Sequence, residues 1–594
     1  MRNLDPSDFW SPSFDIVKRD DGTILMQQTD PLPHHLPTLA DYLDKWADAT
    51  PDQPWIARRD KAGHWRKIPY GEARGAARRI GARLLEMGLG PDRPLLILSG
   101  NSLEHALLGA ACFYVGIPYA PVSPAYSLLS KDHAKLKDIA ALLQPGAVFA
   151  DDGEAFAPAV ASIARPSMAR ISIEGQNTVR FGDLFEGNPE MGDAARAAVT
   201  GDTVVKYLFT SGSTGSPKAV INTNRMICSM QAMVRDCYRF LEKRPPVVLD
   251  WAPWNHTAAG NKVSYLVMTN GGTYYIDDGK PAPGKFDETL RNLRDVACTW
   301  YFNVPVGWDI LVDALEADPE LAATFFSQLG MMFYAGAGMA QHTWDRLRAV
   351  ARETTGREVL LATSLGATET APFALACTEV QEFSGNVGVP AAGLSLKLVP
   401  NGGKLELRLK GPSITPGYYG DPARTAEAFD EEGYYCMGDA LRPADPDDLT
   451  KGFFFDGRVA ENFKLTTGTW VAVGAVRASL VDAMDGLVRD AVITGENEGE
   501  LGALLLLSEK ARKMNAPKLI NTLTEKLKSA AQAATGSASR VKRAIVLAAE
   551  PSFDRGEITE KGSLNQRAMR KNHATLIAAL YAGQGDVILA NADD

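Results

Sequence analysis

Short apolar runs alternate along the chain with longer stretches of helical period. Pro94-Leu-Leu-Ile-Leu-Ser99 is a strand-length run that stops at Gly100. The next stretch, Glu104 to Tyr114, is long and apolar enough for a buried helix, and Gly146-Ala-Val-Phe-Ala150 is a second short strand. Alternation of this kind predicts α/β layers in which helices cover a largely parallel sheet. Further on, Val204-Val-Lys-Tyr-Leu-Phe209 and Ala219-Val-Ile221 read as strands. A helix follows, with Met226, Ile227, Met230, Met233, Val234 and Cys237 at helical spacing and Thr223 or Asn224 as its cap. Leu329-Gly-Met-Met-Phe-Tyr334 predicts another strand ending at Ala335-Gly-Ala-Gly338. The helix after it has Trp344, Leu347 and Ala351 on one face and Gly356 as its stop.

The last part of the chain repeats the texture on a smaller scale. Ala491-Val-Ile-Thr494, Leu504-Leu-Leu-Leu507 and Val541-Lys-Arg-Ala-Ile-Val-Leu547 predict strands, and Pro517 to Ala534 an amphipathic helix. Gly457-Arg-Val-Ala-Glu461 separates this part from the rest. The expected division is a body of residues 1–456, a connecting segment 457–461 and a smaller unit 462–594.

Composition narrows the class. Over 594 residues, 62 Lys+Arg stand against 72 Asp+Glu, a net charge of −10, which argues against nucleic acid as the main partner. Any basic site must be local. Hydrophobic residues at 45% and charged residues at 23% exclude a collagen-like or disordered chain. Cys112, Cys228, Cys237, Cys298, Cys377 and Cys436 form no Cys-x-x-Cys pair, so buried thiols in a reducing compartment are expected instead of disulfides or zinc. The start Met-Arg-Asn-Leu-Asp-Pro does not read as a signal peptide. Ala106 to Val122, with Gly109, Gly116 and Pro118, falls short of a membrane span of about 20 residues. The expectation is a cytoplasmic protein without a membrane partner.

Between the two strands at 204–221 lies Thr210-Ser-Gly-Ser-Thr-Gly-Ser-Pro-Lys218. Gly212 and Gly215 allow close backbone approach, while Thr210, Ser211, Ser213, Thr214 and Lys218 add donors, a composition that suits a polyphosphate. It is not a Walker A site, because Pro217 stands where its second glycine is required and a strand follows instead of a helix. Composition alone would equally allow a flexible glycine-serine turn. Gly336-x-Gly338 is likewise not a dinucleotide fingerprint, since Gln341 occupies the third glycine position.

The loop resembles the phosphate loop of the adenylate-forming superfamily of acyl-CoA synthetases, peptide-synthetase adenylation domains and luciferases. Three further segments, in the superfamily's order, strengthen the resemblance. Leu365-Gly-Ala-Thr-Glu369 is similar to Y-G-x-T-E, Tyr435-Cys-Met-Gly-Asp439 to Y-x-T-G-D, and Gly457-Arg458 to the G-R opening of the hinge. Glu461-Asn-Phe-Lys-Leu465, Thr467-Gly-Thr-Trp-Val471 and Glu557-Ile-Thr-Glu-Lys-Gly562 look most like bacterial feruloyl-CoA synthetases. The resemblance implies an α/β fold: a large N-terminal body of layered α/β subdomains plus a β-barrel-like subdomain, with a small mobile α+β C-terminal lid.

It also implies roles. Lys218 and the loop would neutralise ATP phosphates, Glu369 with Thr368 beside it would hold Mg²⁺, and Asp439 would accept from the ribose hydroxyls. Gly336, Gly338 and Tyr334 would wall the adenine and acyl sites. Trp254 and His256 would stand by the carboxylate, with His256 able to donate to it, and Asn303 would lie on the acyl-pocket wall. Arg458 opens the hinge, and Lys464, Gly468 and Trp470 would line the site for coenzyme A. Lys561 would be the adenylation lysine, with Arg555, Lys542 and Arg567 as alternatives.

Three departures stand out. Lys561 precedes Gly562 where the superfamily places its lysine after the glycine; Ala460 occupies the usual hinge acid, leaving Glu461 as a pivot candidate; Leu365 replaces a common tyrosine. The leading expectation is ligation of ferulate or a close hydroxycinnamic relative to coenzyme A. Alternatives are another aryl or medium-chain acid, loading of a carrier protein, or a nucleotide-binding regulator with a degenerate site. A homodimer is left open.

Overall fold

The computed structural model describes residues 5–175, 177–210, 217–282, 284–459, 463–552, 554–558 and 564–590. Its first layers follow the hydrophobic pattern closely. Leu95–Leu98, Ala147–Ala150, Tyr119–Pro121 and Val204–Thr210 lie in a seven-stranded sheet that is parallel except at one edge, where Lys218–Thr223 turns back antiparallel on Val204–Thr210. The helix Leu103–Val115 buries every residue except Glu104, which accounts for an apolar run with no polar face. Ser102 caps it at the His105 N–H, and Gly116 ends it at φ +78, a conformation that favours glycine. The helix Asn224–Cys237 is capped by Thr223, whose hydroxyl accepts from Met226 N.

A four-stranded sheet (Val247–Asp250, Thr273–Ile276, Pro54–Arg59, Trp65–Pro69) and a parallel three-stranded one (Trp300–Asn303, Met331–Tyr334, Leu360–Ala362) complete the α/β layers. The remaining subdomain is a nine-stranded sheet, antiparallel at every pair, whose edges are Phe14–Lys18 and Ser364–Leu365. A crossing segment joins this sheet to the seven-stranded one. Ile221 N donates to Gly417 O at 3.2 Å and Tyr419 N donates to Ala219 O at 2.9 Å. Residues more than 190 positions apart in sequence are thereby held at one edge.

The C-terminal part has its own core. Leu501–Leu507 pairs antiparallel with Val488–Thr494 and parallel with Val541–Val546. Leu501, Ala503 and Leu505 pack on the side of the helices Val473–Ala483 and Ala516–Ala533, while Leu504 and Leu506 pack with Met569 and Leu580. A strand covered on both faces needs a continuous apolar run, as this one has. No helix among the described residues is long and apolar enough to cross a membrane.

Candidate active site

Thr210 and Lys218 form the last register pair of the edge hairpin, so the two ends of the glycine-serine loop face each other. Ser211, Gly212, Ser213, Thr214 and Gly215 lie outside the described residues. The Thr210 hydroxyl oxygen is buried with no hydrogen-bond partner among the described residues. Lys218 Nζ lies 3.3 Å from the Tyr418 hydroxyl and 4.7 Å above its ring.

The crossing segment carries Tyr418 to Glu369. The Tyr418 hydroxyl donates to Glu369 Oε1 at 2.9 Å, and Lys218 Nζ stands 3.7 Å from the same oxygen. Glu369 is on the single turn Thr368–Thr370, which is pinned where Thr415 N donates to Glu369 O at 2.8 Å. Thr368 is half-buried beside it. Burial, and then the negative charge of Glu369, push the Tyr418 phenol well above its ordinary pKa. The same two causes act on Tyr435, the first residue of the third motif. Three separate motifs therefore meet around one carboxylate, and Tyr418, which no motif marked, links them.

Asp439 is buried and pairs in register with Arg458, whose Nε is 3.5 Å from Asp439 Oδ1. Arg458 itself is exposed and ends the strand Phe453–Arg458. Ala460 and Glu461 lie outside the described residues. Just beyond them, Lys464 pairs with Trp470 in a two-stranded hairpin and its Nζ stands 4.9 Å over the indole. Gly468, at φ +80, makes the turn. Trp470 packs on Gly402 so closely that a Cβ there would sit 2.8 Å from the indole. Lys561 also lies outside the described residues, but the stem of its segment does not. Ile558 bridges Leu564, and the buried Glu557 carboxylate holds Arg555 at 2.8 Å and His573 at 3.2 Å. Of the alternative lysine candidates, Arg555 is thus ion-paired, as is Lys542 with Glu500; Arg567 is exposed.

Of the residues expected at the acyl site, His256 sits half-buried at the start of an irregular helical turn, its carbonyl accepting from Gly260 N at 2.7 Å. The Trp254 indole N–H donates to the Tyr274 hydroxyl at 3.0 Å, which donates to Asp250 Oδ2 at 2.9 Å. Burial pushes the Asp250 carboxyl up to about 7. His105, edge-on to Trp254 at 5.0 Å, is pulled down to about 4 by burial. Asn303 is fully buried and its amide is engaged within the wall, Oδ1 accepting from Trp251 Nε1 and Val304 N and Nδ2 donating to Tyr301. The Tyr334 ring also turns into the core, with its hydroxyl accepting from Gly385 N at 2.9 Å. Gly336, at φ +92, and Gly338 are exposed on the loop beyond it. Sequence reasoning passed over two buried lysines here. Lys206 Nζ donates to Gly260 O, and Lys262 Nζ lies 3.5 Å from the Phe333 ring centre and 3.3 Å from Ser364 Oγ. For Lys206 the available signal was its position inside the apolar run Val204–Phe209.

The sequence profile of the AMP-binding enzyme family matches residues 43–419, well over half of the chain. The chain belongs to the AMP-binding enzyme family. The profile of the AMP-binding enzyme C-terminal domain matches residues 465–585. Among curated relatives, the chain is 26% identical over 441 residues to a medium-chain fatty-acid–CoA ligase of Escherichia coli, covering 68% of this chain and 70% of that one. It is 26% identical over 382 residues to a feruloyl-CoA synthase of an Amycolatopsis species, covering 63% and 70%. It is 24% identical over 440 residues to a carboxylic acid reductase of Mycobacterium marinum, where the match is 68% of this chain but spans only 35% of the reductase. In fold it is similar to the A domain of the carboxylic acid reductase from Segniliparus rugosus, solved with AMP and a co-purified carboxylic acid, at TM-score 0.68 and 18% identity over 92% of this chain and 94% of that domain.

Proposed function

We propose that the chain activates a carboxylic acid with ATP as an acyl-adenylate, releasing pyrophosphate, and transfers the acyl group to coenzyme A with release of AMP. The carrying observation is the convergence of Lys218, Glu369, Tyr418 and Tyr435 beside the loop stem at Thr210. Attack of a carboxylate on a phosphate brings two anions together, so cationic and hydrogen-bonding groups must neutralise charge and hold the leaving pyrophosphate. Lys218 and the buried Thr210 hydroxyl, which has no partner among the described residues, suit that task, with Ser211, Gly212, Ser213, Thr214 and Gly215 supplying the loop between them. Magnesium binding fits one buried carboxylate, because this ion completes its shell with phosphate oxygens and water. Glu369 is that carboxylate; among the described residues no cluster of three metal-ligating side chains competes with it. When bound, the ion would neutralise phosphate charge. Asp439 would take the ribose hydroxyls, displacing its contact with Arg458.

The body would span 1–456, the hinge 457–461 and the lid 462–594, with Lys561 brought in for adenylation. The lid would then move so that Lys464, Gly468 and Trp470 frame coenzyme A. His256, beside Trp254, would orient the acid. The acid is ferulate or a near hydroxycinnamic relative, a choice supported by the wording of the segments at 461–471 and 557–562 and by the similarity to a feruloyl-CoA synthase. A medium-chain acid is the second reading, favoured by the similarity to the medium-chain ligase.

Pyrophosphate release and thioester formation with ferulate, p-coumarate, caffeate, cinnamate, benzoate and octanoate test the proposal. Turnover to thioester, greatest with the hydroxycinnamates, is expected. Adenylate without thioester would point to a carrier protein as acceptor, and ATP binding without turnover of any acid would overturn the activity.

A further inference from the structure

The turn that carries the acid-side histidine is held by the stem of the phosphate loop. Immediately after His256 the chain winds as a π-helical turn, Ala258–Val263, a geometry often kept at functional sites. Side chains meet its carbonyls and its Asn261 amide. Gly260 O accepts from Lys206 Nζ at 2.5 Å and from Ser264 Oγ at 2.9 Å. Asn261 O and Lys262 O accept from Gln231 Nε2 at 3.0 and 2.9 Å. Asn261 Nδ2 donates to Asn222 Oδ1 at 2.8 Å and to Thr257 Oγ1 at 3.2 Å.

Two of these partners belong to the hairpin that ends in the phosphate loop. Lys206 is on the strand Val204–Thr210 that enters the loop, and Asn222 is on the strand Lys218–Thr223 that leaves it. Both are buried. Each arm therefore reaches the same turn, one through Gly260 O and the other through the Asn261 amide.

Lysine is an expensive choice for this contact. Among the described residues the Lys206 amine has one carbonyl acceptor, with the Tyr265 and Tyr119 rings 4.6 and 5.3 Å away, and a cavity of about 40 Å³ beside it. Burial holds its pKa well below the ordinary value. A methionine of similar length would fill the space without the desolvation cost, and replacing a buried polar or ionisable group by apolar packing is often neutral or stabilising. Because Ser264 also donates to Gly260 O, the turn keeps a donor without Lys206. The lysine thus adds a connection to the turn more than it supports the fold.

We propose that Lys206 and Asn222 are positioning residues that tie the hairpin strands Val204–Thr210 and Lys218–Thr223 to the turn after His256, so that nucleotide binding at Lys218 orders the acid site. The inference rests on the acid-activation reading. By linkage the effect is reciprocal, and acid binding tightens nucleotide binding by the same factor.

The experiment measures calorimetric binding of ferulate with and without a non-hydrolysable ATP analogue in the full chain. In the wild type the analogue tightens acid binding on the order of ten-fold. In Lys206→Met and Asn222→Ala that factor falls towards one, while affinity for the analogue alone is retained and the melting temperature of Lys206→Met is unchanged or higher. Gln231→Ala weakens the turn without touching the hairpin, so it lowers acid affinity equally with and without nucleotide. A wild-type factor of one, or a factor unchanged in both hairpin variants, overturns the proposal. So does a Lys206→Met protein that loses affinity for both ligands and melts earlier, because that marks a structural role. A wild type that binds the analogue but no acid from the substrate panel overturns the activity itself, and is recognised without any variant.

Discussion

Tyr418 donates its phenolic hydrogen to Glu369 Oε1 at 2.9 Å, across 49 residues of sequence, and Lys218 stands within 3.7 Å of the same oxygen. The carboxylate is thus oriented before any ligand arrives. A hydrogen bond to a charged acceptor contributes about 1.5–3 kcal/mol, enough to hold one rotamer of a buried side chain.

Tyr418→Phe removes that donor and keeps the ring over Lys218. The expected result is a rise on the order of ten-fold in KM for magnesium-ATP, with a fall of a few degrees in melting temperature. Steady-state pyrophosphate release read against ATP checks it. An unchanged KM would exclude Tyr418 from the site.

Glu369→Gln keeps an acceptor for Tyr418 but not the charge. Half-maximal turnover is expected to need on the order of ten-fold more magnesium, the scale of losing a charged ligand from a site completed mainly by phosphates and water. A magnesium titration identical to the wild type's would sink the metal role.

Lys561→Ala separates the half-reactions. Adenylate formation is expected to slow by roughly 10²–10³, as for loss of one preorganised charge-stabilising group, while thioester formation from supplied adenylate changes little. The buried Glu557 at the stem of this segment keeps its contacts with Arg555 and His573 in such a variant, so the C-terminal part stays folded. Equal slowing of both half-reactions would contradict the assignment.

Asp250 and His105, linked through Trp254 and Tyr274, make opposite contributions to stability against pH. Asp250 moves from 3.8 to about 7 on folding, so the native state alone holds its proton between those values. Its contribution favours folding at the acid end and is lost as pH rises through about 7, roughly 4 kcal/mol in all. His105 moves from 6.5 to about 4, so the unfolded chain alone takes up a proton there. That contribution is present above 6.5 and lost as pH falls, roughly 3 kcal/mol in all. The two nearly cancel. Relative to the wild type, Asp250→Asn should lose stability towards acid pH and His105→Gln should gain it. Urea midpoints from pH 4.5 to 7.5 check this, and two variants that track the wild-type curve would refute both assignments.

Much of the architecture was legible because local rules decide it. The apolar stretch at 104–114 reads as a buried helix, and the structure buries the helix Leu103–Val115 everywhere but at Glu104. The run Leu504–Leu507 reads as a strand, and its unbroken apolarity suits the cover that the structure gives both faces of Leu501–Leu507. Family membership was equally legible, since the loop at 210–218 and the segments at 365–369, 435–439 and 457–458 carry chemistry in their residue types and order. What sequence spacing could not contain was the meeting of distant strands. Only the pairing of residues 417–419 with the edge strand Lys218–Thr223 brings Tyr418 to Glu369 and Lys218. Asn303 and Tyr334 lie on the strands expected to wall the acyl site, but strand position does not state which face a side chain takes. Packing turned both into the core, where Trp251 and Gly385 hold them. The buried Lys206 reads in sequence as a polar interruption of a strand; tertiary contact with Gly260 O joins that strand to the turn after His256, because a buried amine N–H must find an acceptor wherever the fold provides one.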